Sequence, residues 1–388
     1  MGTFKYERDL LKHFIRTDGW LPLCRQRRKL IRAKKTTKNI RELRYFTFCA
    51  IGAIDVLMLD VHKVLTPSEL GFESVFFFDK DRESVLETQS RIPGATGFVG
   101  NFVKLLTSED LEDPSEEDDD ANADPGHEVK DPLKSPEAEL NTKEVRERAL
   151  QQEELRRFVK CFPFDVINLD LEEYVFKPSE ELPGRLLKAI RKILRWQQRP
   201  VKITIRRKAQ LDGFSLMFTT KIGPNDLPDD YLARLQNSLA LNLRQDEQLT
   251  PMLQNRAGTA DIAELRQRNF EVFFKLAIPK VILNTLMSED WYIEPEYGIK
   301  IYEFQREFDG GNYKMLHMVM DIRRHVPPRS KRLDGETSAV AAEAYQQVVR
   351  RLFREAETVV AEDSIDQPAL TESLNEIIER GKKYTGES

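Results

Sequence analysis

Short unbroken apolar runs alternate with amphipathic stretches along most of the chain. Arg44-Tyr45-Phe46-Thr47-Phe48-Cys49-Ala50 is one such run, followed by a turn at Ile51-Gly52-Ala53 and a helical pattern from Ile54 to Leu65. Ser74-Val75-Phe76-Phe77-Phe78 reads as a buried strand ending at Asp79, and a helix is predicted from Arg82 to Arg91. Gly97 to Phe102 reads as a third strand, Phe164 to Asp170 as a fourth, and Phe214 to Thr220 as a fifth, with a helix from Leu182 to Trp196 before the last. Apolar runs of this length separated by helices predict a parallel sheet covered on both faces.

The pattern changes near the end. A long helical stretch, Phe270 to Met287, precedes two strands, Ile299 to Arg306 and Met315 to Arg323. Asp309-Gly310-Gly311-Asn312 joins them, a composition that favours a hairpin turn. The sheet is therefore expected to be parallel until an antiparallel closing pair.

Charge divides the chain further. The net charge is only −5 over 388 residues, yet it is unevenly spread. Residues 1–45 read as a basic helical N-terminal extension. Residues 107–142 are acidic, rich in Pro and Ser and poor in aromatics, and are expected to form a disordered insert. Residues 46–325 form the α/β domain around that insert, and 330–388 a helical polar tail with an amphipathic helix from about Val340 to Val360. Arg25, Arg27, Arg28, Arg32, Lys34 and Lys35 are candidate contacts to nucleic-acid phosphates. The same segment can equally pair with the acidic insert.

Other classes lack support. No apolar run is long enough to cross a bilayer. The first 16 residues are charged and amphipathic rather than a leader. The three cysteines are well separated, so a cytoplasmic setting is expected. The five histidines show no metal-ligand spacing, and no phosphate loop or nucleophile motif is present. The tail helix with Arg350, Arg351 and Arg354 reads as a surface for a protein partner or for packing.

This order of elements resembles the class I S-adenosylmethionine-dependent methyltransferases, a Rossmann-like superfamily, over residues 40–325 without the insert. Cys49-Ala50-Ile51-Gly52-Ala53 stands where that family has its glycine-rich turn, so the resemblance implies cofactor contacts at Ala50 and Gly52. It implies that Asp79 accepts hydrogen bonds from the ribose diol and that Asn101 contacts adenine. It also implies that Asn168 and Asp170, at the mouth of the fourth strand, orient an acceptor amine and receive its proton. The runs at 164–170 and 213–220 are similar to the fourth and fifth strands of the tRNA guanine dimethyltransferases. The implied function is methyl transfer to nucleic acid, with S-adenosylmethionine as cofactor.

Three features depart from the family pattern. The first strand carries no acid, the turn has one glycine, and Asp170 is followed by Leu171-Glu172-Glu173-Tyr174 rather than proline and an aromatic. They motivate a second reading, a catalytically inactive methyltransferase-fold scaffold or nucleic-acid-binding module. Local alternatives also stand: Asp79 or Asp81 can cap the following helix, and Gly100-Asn101 is a common turn.

Overall fold

The computed structural model describes residues 9–33, 41–48, 52–108, 111, 136–171, 175, 184–199, 201–204, 207–209, 211–223, 229–294, 299–308, 311–324, 346–354 and 360–386. Helix α1 (Leu10–Ile15) runs through one π-helical turn, Arg16–Trp20, into α2 (Leu21–Ala33). The units β1 (Tyr45–Thr47), α3 (Ile54–Val61), β2 (Val75–Asp79), α4 (Arg82–Arg91) and β3 (Thr96–Val99) follow. Next come α5 (Phe102–Thr107), α6 (Pro136–Val159), β4 (Val166–Asp170) and α7 (Arg185–Trp196). A small hairpin, β5 (Val201–Thr204) and β6 (Arg207–Ala209), leads into β7 (Gly213–Lys221). Four helices then occur, α8 (Asp229–Gln245), α9 (Leu249–Ala257), α10 (Ile262–Arg268) and α11 (Phe270–Ser288). The strands β8 (Trp291–Ile293), β9 (Ile299–Phe308) and β10 (Gly311–Arg324) close the sheet. Helix α12 covers 346–354, and α13 spans Gln367–Thr385.

Local chemistry explains many boundaries. Asp81, Asn101, Asp261, Asn269 and Asp366 each cap a helix by accepting a backbone N–H of its first turn. Gly258 ends α9 in the left-handed conformation that lacks a Cβ penalty. The third strand stops at Val99, shorter than its apolar run predicts, because Asn101 caps α5 and draws Phe102 into a helix. The stretch expected to be disordered lies outside the described residues for 109–110 and 112–135, but 136–142 is helical and belongs to α6.

The main sheet has eight strands in the order β3-β2-β1-β4-β7-β10-β8, with β9 also paired to β10. Neighbours from β3 to β7 are parallel. β10 is antiparallel to β7, β8 and β9. The protein is thus α/β, with a mixed, mostly parallel, Rossmann-like sheet.

The two faces of that sheet differ in chemistry. One face packs α5 through α12 over apolar side chains such as Phe46, Phe78, Ile167, Leu169, Phe218 and Met318. Phe158 of α6 anchors an aromatic cluster there, with ring centroids 5.0 Å from Phe46 and 4.8 Å from Phe78. α7 contributes Leu186, Ile190, Ile193, Leu194 and Trp196 to the same core. The other face packs α1–α4 and α13. On it, strand alternation aligns Tyr45, Thr47, Asn168, Asp170, Ser215, Thr219, His317 and Asp321. Thr47, Asn168, Ser215, Thr219, His317 and Asp321 are all buried.

The N-terminal segment covers this polar face. Leu11, Ile15, Trp20, Leu21, Leu23 and Cys24 are buried against it, so residues 10–33 belong to the body rather than to an extension. Arg27 is buried and pairs with Asp321, while its Nε donates to Ser215 Oγ at 3.4 Å. The tail also folds back. Arg380 Nε and Tyr384 Oη of α13 both bond Asp60 of α3, at 2.6 and 2.8 Å. Val348, Val349, Leu352 and Phe353 of α12 are buried in the opposite core, so the apolar side expected to receive a protein partner is covered by the chain itself.

The β7–β10 seam is tight. A Cβ on Gly213 would lie 2.2 Å from the Ile322 carbonyl oxygen. Gly213→Ala is therefore expected to lower stability by about 1–3 kcal/mol, as overpacking against backbone does. A reduced urea midpoint checks it, and an unchanged midpoint would show that the seam yields without cost.

Candidate functional site at the carboxyl edge of the sheet

The crossovers select one edge. α3 follows β1 on the polar face, whereas α7 follows β4 on the apolar face. Strand order therefore reverses between β1 and β4, and ligands of open α/β sheets bind outside the carboxyl ends at such a switch point. Register fixes what lies there. Asp79 is level with Val99, and Asp170 is level with Thr219, which is level with His317. β1 ends at Thr47, level with Phe77 and Asn168, two residues short of that row. Asp79 and Asp170 thus flank the end of the shortest central strand.

The turn after β1 is only partly described. Ala50 lies outside the described residues, as do Cys49 and Ile51. Gly52 is buried in the turn, and the left-handed residue is Ala53, with φ 46° and ψ 30°. A non-glycine residue costs about 1–2 kcal/mol in that conformation. Ala53, the N-cap of α3, makes no side-chain cap to its first turn. Its leading N–H groups face the carboxyl edge, a setting that suits an anion.

Of Asp79 and Asp81, both candidates to cap α4, Asp81 takes the cap. Asp81 caps α4, accepting from Ser84 N at 2.8 Å and from Ser84 Oγ at 2.9 Å. Asp79 takes no part in that cap. Its Oδ1 accepts from the backbone N–H of Lys80 at 2.6 Å. Partial burial raises its pKa, opposed by the N–H groups of Lys80 and Asp81. Asn101 is the opposite case, since its Oδ1 caps α5 by accepting from Lys104 N at 3.0 Å.

Asn168 and Asp170 sit on the polar face of β4. Asn168 Nδ2 donates to Tyr45 Oη and Thr47 Oγ1, both at 3.2 Å. These hydroxyls donate in turn to Asp55 Oδ2, at 2.8 and 2.7 Å. Asp170 Oδ2 pairs with Lys12 Nζ of α1 at 2.7 Å. Burial pushes its carboxyl upward, but Lys12, with Arg16 behind it, outweighs that and holds it well below the usual carboxylate range. The amide oxygen of Asn168, Oδ1, and the second carboxylate oxygen of Asp170, Oδ1, are buried without a hydrogen-bond partner among the described residues. Such acceptors are uncommon in folded proteins and mark where a donor is missing.

His317 completes the row. Trp20 Nε1 donates to its Nε2 at 2.6 Å, so the proton lies on Nδ1, which meets Thr219 Oγ1 at 2.7 Å. Burial pushes its pKa down to about 3, with Lys12 and Arg16 adding to that and Asp170 opposing. The imidazole is neutral and closed to solvent. Lys12, Trp20, Tyr45, Thr47, Asp55 and His317 were not singled out by sequence reasoning, although the alternation that puts His317 and Asp321 on one side of β10 was visible.

The predicted basic cluster separates. Arg25 and Arg32 are exposed, and Arg28 Nη2 donates to Thr66 Oγ1 at 2.6 Å. Arg27 faces inward and is no phosphate contact, because its charge neutralises buried Asp321. Lys34 and Lys35 lie outside the described residues. Among the described residues no group of His, Cys, Asp and Glu is arranged to hold a metal ion, and no helix is long and apolar enough to cross a membrane. Compared with protein-family models, with curated proteins and with solved structures, the chain matches none.

Proposed function

We propose that this chain is an S-adenosylmethionine-dependent methyltransferase-fold protein acting on nucleic acid, with its cofactor at the switch point between β1 and β4. One observation carries the reading: two acceptor oxygens, Asn168 Oδ1 and Asp170 Oδ1, are left without donors on one face of β4 at that edge. Asp170 is kept ionised by Lys12 while its Oδ1 has no donor among the described residues, which suits it to accept a hydrogen bond from an amine and orient it. The residues present fit the cofactor. Asp79, relieved of capping by Asp81, can accept both hydroxyls of a ribose diol, and the uncapped start of α3 suits the methionine carboxylate. The cofactor supplies an electrophilic methyl carbon on a sulfonium. The chain's own task is alignment of a nucleophile with it, for which rigid acceptors on a central strand are well suited.

A second reading is favoured by a specific contact. The Lys12–Asp170 pair is buried, with side chains 7% and 9% exposed, and α1 covers the mouth where a substrate base would enter. A catalytically silent methyltransferase-fold module fits that closure. Calorimetric titration with S-adenosylmethionine and S-adenosylhomocysteine separates the two. Micromolar binding is expected, abolished in Asp79→Ala and retained in Asp170→Asn, with methyl transfer to RNA or DNA pools lost in the latter. No heat from either ligand would overturn the cofactor assignment and leave the silent module.

A further inference from the structure

α7 carries Arg185, Lys188, Arg191, Lys192 and Arg195 within twelve residues and no acid. Their spacing of three and four puts them on one side of the helix. The other side, Leu186, Ile190, Ile193 and Leu194, is buried in the core. Lys188, Arg191 and Arg195 are exposed, the last two with side chains 51% and 63% accessible. The opposing charge described beside them is Glu289, 3.6 Å from Arg191 Nε and 3.0 Å from Arg195 Nε. Both arginines lie against this one acid, whose own side chain is 10% accessible, so the cluster keeps a net positive charge facing solvent.

The stripe leads to the carboxyl edge. Arg185, the first residue of α7, lines a cleft of about 360 Å³ together with Lys104, Gly100 and Asn101. Nothing stands within 4 Å of where a Cβ on Gly100 would be, and Gly100 N donates to the Asp79 carbonyl at 2.8 Å. The cleft therefore adjoins Asp79. Gly184, the N-cap of α7, has no side chain with which to cap it, and the first turn carries a cation at Arg185. From Arg185 to Arg195 the helix rises about 15 Å.

We propose that the outer face of α7 is a nucleic-acid docking surface: Lys188, Arg191 and Arg195 hold the phosphodiester backbone, and Arg185 with Lys104 holds a phosphate in the cleft beside Asp79. The surface is separate from the N-terminal cluster, of which Arg27 is turned inward. Contacts of this type position a strand without reading its bases. The inference rests on the nucleic-acid part of the reading above and is independent of the cofactor.

The test is fluorescence anisotropy with the full chain and no cofactor, using labelled 20-nucleotide single-stranded DNA and RNA of one sequence, over a series of salt concentrations. The triple variant K188Q/R191Q/R195Q is expected to weaken binding of one or both probes about 10- to 100-fold at low salt and to reduce the slope of log K against log salt by about 2. The triple variant also takes both arginines from the largely buried Glu289, so its thermal midpoint is expected to fall somewhat, and circular dichroism verifies that it is folded at the assay temperature. R185Q/K104Q is expected to weaken binding by a smaller factor, and R25Q/R32Q by less than the α7 triple. Binding that the triple variant retains within twofold overturns the surface while leaving nucleic-acid binding intact. No binding of either probe at low salt overturns this inference and the nucleic-acid part of the proposed function together, without bearing on cofactor heat. Equal competition by poly-L-glutamate of matched charge overturns it too, since α7 is then a general polyanion face.

Discussion

An Arg27→Met protein is expected to lose roughly 3–5 kcal/mol of stability, the cost of leaving a buried carboxylate without its partner. Arg27 pairs with Asp321 inside the polar face of the sheet, with side chains 5% and 1% exposed. Arg323 Nη2, 3.1 Å from Asp321 Oδ2, remains as a partial substitute, which argues for the lower end of that range. Urea unfolding followed by circular dichroism measures it. Arg25→Met, at an exposed position two residues away, sets the reference and should change stability by about 0.5 kcal/mol or less. Adding Asp321→Leu to Arg27→Met should restore most of the loss, because a buried ion pair can be replaced by apolar side chains at little net cost. Equal midpoints for Arg27→Met and Arg25→Met would refute the inward role of Arg27.

The second large effect is acid sensitivity well above the carboxylate range. The His317 imidazole is pushed down to about 3 by burial, against an ordinary value of 6.5. Between those values the unfolded chain binds the proton and the folded one does not, so stability falls as pH falls. The slope reaches about 1.4 kcal/mol per pH unit, and the loss from pH 7 to pH 5 is roughly 2 kcal/mol for this group alone. His13, pushed down to about 4 by burial with help from Arg16 and His62, acts in the same direction. Asp170 adds to the loss only below the unfolded carboxylate value, since Lys12 favours its ionised form. Urea midpoints at pH 7 and pH 5 should differ accordingly, and His317→Gln should flatten the dependence by about one proton. A midpoint independent of pH over that interval would sink the assignment of His317 as a neutral, buried group.

Both effects arise on one face of the sheet, and that face shows where sequence reading stops. The apolar runs at β2, β4, β7 and β10 announced themselves because a strand buried on both sides has few positions left for polar residues. The polar residues inside them were legible at the even spacing that keeps a strand's side chains on one face: Asn168 and Asp170 two apart, Ser215 and Thr219, and His317 and Asp321, four apart. Their partners were not. Lys12 meets Asp170 across 158 residues of chain, and the hydrogen bond from Trp20 to His317 spans 297. Nothing local in a basic amphipathic helix distinguishes a lysine that neutralises a buried acid from one that meets a phosphate. The same holds for α7, whose basic stripe was passed over although its charges were plainly spaced.

The capping chemistry divides similarly. Asp79 and Asp81 both had the residue type and position to cap α4, and only backbone geometry assigned the task to Asp81. Asn101 went the other way, because the chain turns into a helix directly after it.

By itself, then, the sequence determined the alternation of strands and helices, the antiparallel closing hairpin and the approximate ends of the central strands. Those features depend on burial periodicity and turn chemistry, which are short-range. Tertiary structure alone decided that the basic N-terminal segment is part of the body, that α12 and α13 fold back onto it, and which acids keep an open oxygen. Those outcomes depend on electrostatic pairing in a water-poor interior, where a charge must find its counterpart wherever the chain brings it, however far away in sequence.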